Sequence, residues 1–239
     1  MAVWSVAAAW RYPEALPARW TATTWIGNAD TLWRPAWATL VVGLTASLIA
    51  AILTLACLEN EQRRLVHPGA SALWLLYLPL LVPQIAFLFG TQVLLVRLRL
   101  DGSWVAVVWA HLLFVLPYVF LSLADPWRAL DPRFARSAAG LGASPLRVFC
   151  RVKLPMLLRP VLVALAVGFA VSVGQYLPTL FAGAGRIATL TTEAVTLSSG
   201  DDRRIIGVYA FLQSAMPLLV YGGALAVPTL LYRNRRGLQ

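Results

Sequence analysis

The 239-residue chain is 59% hydrophobic and 13% charged, with a mean hydropathy of +0.71, a balance that excludes an ordinary soluble domain and points to a membrane protein. Lys and Arg exceed Asp and Glu by 20 to 10, and the placement of that excess along the chain argues for membrane topology rather than nucleic acid as its cause. Two cysteines, Cys57 and Cys150, supply neither a disulfide framework nor a metal-ligand spacing.

Residues 1–36 contain no stretch of membrane length and are expected to form an extracytoplasmic segment. Their apolar start is short and lacks a basic flank, which makes a poor signal peptide. A single transmembrane domain is expected over 37–232, with five full spans. The first, 37–58, reaches roughly 33 Å as a helix, enough for a ~30 Å hydrocarbon core. It runs into a charged segment, 59–64, which reads as a solvated loop. The second span, 71–96, is interrupted by Pro79 and Pro83, whose freed backbone carbonyls need other partners. A short loop, 97–103, leads to the third span, 104–124, which holds His111 and Pro117. The fourth, 161–181, holds Gly168, Gly174, Gln175, Tyr176 and Pro178. A polar loop with a short helix is expected over 182–204, where Asp202, Arg203 and Arg204 read as solvated. The fifth span, 205–231, holds Gln213, Pro217 and Pro228, and a basic tail, 233–239, closes the chain. Trp20, Trp25, Trp33, Trp37, Trp104 and Trp127 suit interfacial anchoring.

Between the third and fourth spans lies the one long polar stretch, 131–155, rich in Arg133, Arg136, Arg147, Arg151 and Lys153. Asp131 is a good N-cap and Pro132 suits the first helical position, so one helix should run to about Leu141. Gly142 permits a sharp turn, and Ser144 with Pro145 repeats the cap-then-proline start for a second helix. A cationic helix–turn–helix set between membrane spans reads as a docking surface; attraction to anionic lipid headgroups is the alternative, but would not require the glycine.

With 59–67, 125–159 and the C-terminus placed inside, the basic residues there number twelve against four acidic, whereas the other side holds eight against six. The positive-inside rule therefore puts the docking stretch and C-terminus in the cytosol and 1–36 outside.

The chain lacks a P-loop, a His-Glu-x-x-His motif and carboxylates within its spans, which argues against a nucleotide-binding subunit, an intramembrane hydrolase and an ion-coupled secondary transporter. Uncharged polar groups remain: Gln84, Gln92, His111, Gln175, Tyr176 and Gln213. Each suits either interhelical packing or a translocation path. Around Gln175 the Gly-Gln-Tyr-x-Pro run also allows local unwinding.

Arg136, Ser137 and Ala138, then Leu141, Gly142, Ala143 and Ser144, then Val152, Lys153, Leu154 and Pro155 resemble the "EAA loop" of ABC-importer permeases of the MetI-like type. The spacings from triplet to Gly142, and from Gly142 to Val152, match the family's Glu-Ala-Ala…Gly…Ile-x-Leu-Pro register, although Arg136 replaces the usual Glu and Ser137 the first Ala. Leu78, Pro79 and Pro83, Ala110 and His111, Leu116 to Tyr118, and Gly168 to Thr179 resemble further family elements, so the likeness runs from Trp4 to Arg236. It implies an all-α polytopic permease whose 131–155 loop docks on a cytosolic ABC ATPase, with Arg136, Ser137, Ala138, Leu141, Gly142, Ala143, Ser144, Leu154 and Pro155 at the contact. It further implies ATP and Mg held by that partner and no cofactor in this chain. The remaining implied partners are a second permease subunit or fused half, an extracytoplasmic solute-binding protein and the lipid bilayer. On this likeness the chain begins inside the tail of a first helix, and its flavour is that of thiamine, iron(III), sulfate or molybdate permeases. A secondary transporter or a structural membrane subunit is the alternative.

Overall fold

A computed structural model describes residues 1–10, 13–64, 69–200 and 202–232. The basic tail 233–239 therefore lies outside the described residues, as do Arg11 and Asp201. The chain begins with α1 (Ala2–Ser5), a two-strand antiparallel ribbon of β1 (Ala7–Ala9) and β2 (Arg19–Trp20), and α2 (Thr23–Gly27). Among the described residues every later element is a helix.

The first span, α3 (Ala29–Arg64), is longer at both ends than expected. It starts with Asp30 in the first turn, where a carboxylate favours the positive helix end, and Trp33 stacks on Trp37 with centroids 6.0 Å apart. At the other end the charged segment 59–64 is not a loop. It has no Gly or Pro, ends on Arg63 and Arg64 in favourable C-terminal positions, and simply continues the helix.

The second span is a break, not a kink. α4 (Ala70–Leu81) and α5 (Gln84–Arg97) meet at 105°. Pro79 sits inside α4, whereas Pro83 forces Val82 into an extended conformation (φ −89°, ψ 140°) that ends the helix. α6 (Trp104–Arg128) is capped by the Ser103 hydroxyl, which accepts from the Ala106 N–H at 3.2 Å.

The polar stretch forms α7 (Pro132–Gly140) and α8 (Pro145–Val148), then one turn of π-helix (Phe149–Lys153) and α9 (Leu154–Met156). α10 (Leu158–Val173) follows after a 78° bend. The expected fourth span stops at Val173, because Gly174, Gln175 and Tyr176 unwind before α11 (Leu177–Gly183), whose first turn carries Pro178. α12 (Leu190–Leu197) supplies the short helix of the polar loop, and α13 (Arg203–Leu231) is the last span.

Among the described residues three single helices, α3, α6 and α13, are long and apolar enough to cross a membrane, and up to five spans result if each bent pair counts as one. α3, α6 and α10 pack as a central triad, and α13 lies against α10. Close approach in the triad depends on small residues. A Cβ on Gly168 would stand 2.7 Å from Val119 Cγ2, and one on Gly43 2.7 Å from Phe169 Cε2. Trp127 is not an interfacial anchor: it is buried at 1% exposure against Phe149, whereas Trp33, Trp37 and Trp104 remain exposed.

Asp202, Arg203 and Arg204 are also not a free loop. The Asp202 carboxylate caps α13 by accepting from the Arg204 N–H at 2.9 Å, and the Arg204 side chain holds it below the ordinary carboxylate range. Arg204 Nη1 donates to the Ala8 carbonyl at 3.2 Å and Arg203 lies over the Trp4 ring at 5.7 Å, so these residues fasten the N-terminal segment to the last span.

Candidate functional site

The tip of the polar stretch is built by local cap chemistry. The Asp131 carboxylate accepts from the Arg133 N–H at 2.8 Å with Pro132 in the first turn of α7. After Gly140 the chain closes in a Schellman arrangement: Gly142 N–H donates to the Ala139 carbonyl at 2.9 Å, and Ala143 N–H to the Ala138 carbonyl at 3.1 Å. Gly142 takes φ +79°, the left-handed region such a turn requires. Ser144 is extended and leads into Pro145, but its side chain makes no capping bond.

The turn presents its apolar residues outward. Leu141 is 89% exposed, Leu146 72% and Phe134 50%, among the exposed side chains of Arg133, Arg136, Ser137 and Arg147. Ala138 and Ala143 are half-buried behind them. Three large apolar side chains exposed together on one polar turn make it a candidate contact surface. Leu154 packs on the core beneath, and the Pro155 carbonyl accepts from the Tyr232 hydroxyl at 2.9 Å. These two therefore belong to the base of the loop, some distance along the chain from its tip.

Sequence reasoning missed the way both stems of this loop are fixed to α3. Arg128, at the end of α6, grips the Glu61 carboxylate through Nε at 2.9 Å and Nη2 at 3.1 Å. Lys153, at the end of the π-turn, donates to Glu59 Oε2 at 2.6 Å and Gln62 Oε1 at 2.7 Å. The only available signal was the i, i+3 spacing of Glu59 and Gln62, which puts both on one face should the helix continue.

The two helix breaks meet. Gln84, the first residue of α5, donates its amide to Gln175 Oε1 at 2.7 Å, joining the α4–α5 break to the α10–α11 break. Beside them Phe89 meets Phe181 edge-on at 5.4 Å. Tyr176 is half-buried at the start of α11. His111 is placed deeper, at 2% exposure, and spans the same break: Nδ1 lies 2.7 Å from Ser172 Oγ and Nε2 2.8 Å from Thr179 Oγ1. Because the Thr179 hydroxyl donates to the Gln175 carbonyl at 2.7 Å, Nε2 is the donor to Thr179, and in the neutral ring Nδ1 is then the acceptor for the Ser172 hydroxyl. Both ring nitrogens are thus satisfied by a neutral imidazole, which splints the unwound segment from behind. Gln213, half-buried on α13, makes no hydrogen bond to any of these among the described residues.

At the opposite end of the molecule from the polar loop, a cleft of about 620 Å³ opens between the start of α3 and the α11–α12 connection. Arg34, Arg186 and Glu193 line it with Trp33, Trp37, Trp104 and Tyr209.

Residues 72–233 match the family described as binding-protein-dependent transport system inner membrane component. The chain is 45% identical over 201 residues to the inner membrane ABC transporter permease protein YnjC of Escherichia coli (strain K12), covering 84% of this chain and 38% of that protein. It is 31% identical over 186 residues to the molybdenum transport system permease protein ModB of Mycobacterium tuberculosis (strain ATCC 25618 / H37Rv), covering 72% of this chain and 69% of ModB. Identity to the putrescine transport system permease protein PotI of Escherichia coli (strain K12) is 26% over 178 residues, covering 70% of this chain and 63% of PotI. The chain thus spans well under half the length of YnjC and about two thirds of the other two. The family match covers most of the chain, including the polar loop, both helix breaks and the last span, and the chain belongs to the binding-protein-dependent transport system inner membrane components.

Proposed function

We propose that the chain is the permease subunit of an ABC importer: it forms a path for a small solute and takes its driving force from a cytosolic ATPase docked on residues 131–155. The observation that carries this reading is the turn itself, a rigid Schellman cap with Leu141 almost fully exposed, at the position where the family's loop register falls. Membership of an inner-membrane transport family supports it. Docking is mechanical, and this chain performs no covalent chemistry. The ATPase would hold ATP and Mg; this chain, having no P-loop, would need no cofactor of its own.

On this reading 37–232 is the permease domain, with 1–36 outside the cell membrane and 233–239 in the cytosol. The Gln84–Gln175 contact would close the path where the two broken helices meet, with Tyr176 beside it. A second permease subunit or fused half would complete the path within the bilayer, and an extracytoplasmic binding protein would deliver solute at the cleft of Arg34 and Arg186. The basic residues serve orientation and docking, and no nucleic acid is involved.

Co-expression with an ABC ATPase, followed by reconstitution in nanodiscs, tests the assignment. The ATPase is expected to co-purify with the chain and hydrolyse ATP in the complex. Failure of every co-expressed ABC ATPase to associate would favour a stand-alone transporter or a structural subunit.

A further inference from the structure

The docking loop could move on its own unless something ties it to the spans, and the structure supplies the tie. We infer that Lys153 is a positioning residue that makes the loop and α3 move as one body; the inference rests on the permease reading above. Lys153 is 4% exposed, and its ammonium donates two of its three N–H groups to Glu59 and Gln62 of α3. It also lies 5.9 Å from the centroid of the buried Trp127 ring, which itself packs on Phe149. The π-turn is what aims it. Widening the turn over Phe149–Lys153 carries Lys153 inward while Cys150 and Arg151 stay exposed. A charge this deep is retained only with partners, so the pair has a strong geometric preference for one arrangement.

The second tie stands on the other stem. Arg128 and Glu61 join α3 to the chain just before the loop, so the loop's entry and exit are both bonded to the same helix end. A push on the tip at Leu141 is then delivered to α3 instead of being absorbed by bending at the stems. None of these four ionic residues is at the tip, so their role is separate from docking.

The chain's own two cysteines report on this directly. Cys57 lies on α3 and Cys150 in the π-turn, both free and exposed, so spin labels attach there without added mutations. In nanodiscs the wild-type label distance is expected to be narrowly distributed, and to stay unchanged when ATP and vanadate trap a bound ABC ATPase. Lys153→Met is expected to keep the ATPase bound, broaden the distribution, and let the distance shift on trapping, because the exit stem carrying Cys150 then moves without α3, although Arg128 and Glu61 still hold the entry stem. The exchange Glu59→Lys with Lys153→Glu should restore the narrow distribution, since the Gln62 amide can donate as well as accept. A Lys153→Met distribution identical to wild type, or an exchange variant as broad as Lys153→Met, would overturn the inference. Absence of a bound ATPase on wild type would instead remove the permease reading, and leaves the label distances as the measure of the tie.

Discussion

Gly142→Asp is expected to leave the chain folded and to lose the ATPase. Nothing lies within 4 Å of the place a Cβ would occupy at Gly142, so crowding inside the chain is not the cost. The cost is the backbone conformation, φ +79°, and there Asp and Asn are the side chains best tolerated after glycine. The penalty to the isolated chain should therefore stay at the low end of the left-handed cost, about 1 kcal/mol. Beside the exposed Leu141, however, the new side chain and charge would enter the contact with a partner. A loss of about 2 kcal/mol at the centre of an interface is roughly 30-fold in affinity. Co-purification of an ABC ATPase and the melting temperature of the chain alone separate the two effects. Equal loss in both would mean that Gly142 serves only the fold.

Gly168→Leu should do the opposite and fail in the fold itself. The first carbon of any side chain there would sit 2.7 Å from Val119 Cγ2, 3.1 Å from Val115 Cγ1 and 3.2 Å from Ser47 Oγ, where α10 crosses α3 and α6. Overpacking of a filled core costs about 1–3 kcal/mol, and a branched four-carbon side chain at a helix crossing belongs at or above the upper end. Gly174→Ala is the matched control, because its nearest neighbours, two carbonyl oxygens at 3.6 and 3.7 Å, are at ordinary contact distance. Detergent-solubilised Gly168→Leu is expected to aggregate or melt well below wild type and Gly174→Ala close to it. Similar melting of all three would contradict the packing described for the triad.

The features legible in the sequence are those made by neighbours along the chain. Asp131 with Pro132, the Gly142 turn and Pro145 each act over a few residues, and each forms where local cap chemistry places it. The helical extension over 59–64 has a local signal in its lack of Gly and Pro, but the partners that engage its charges, Arg128 and Lys153, stand 67 to 94 residues away. Read without them, a run of charges looks solvated. Asp202 to Arg204 misled for the same reason, as their contacts reach back to Ala8 and Trp4. At the fourth span, apolar residues resume at Leu177, so the span reads across the polar Gly174–Tyr176 dip, although the glycine and Pro178 mark the unwinding. The pairing of Gln84 with Gln175 needed two distant breaks to meet and had no local signal.

Coupling through the 131–155 turn requires that its exposed tip be the ATPase contact. A photo-crosslinking amino acid placed at Leu141, in membranes from cells co-expressing an ABC ATPase, tests it most directly, with Leu218 and Leu219 of α13 as exposed apolar controls. An adduct of the chain with the ATPase is expected from Leu141 and none from either control. An adduct absent at Leu141, or formed equally well from α13, would contradict it.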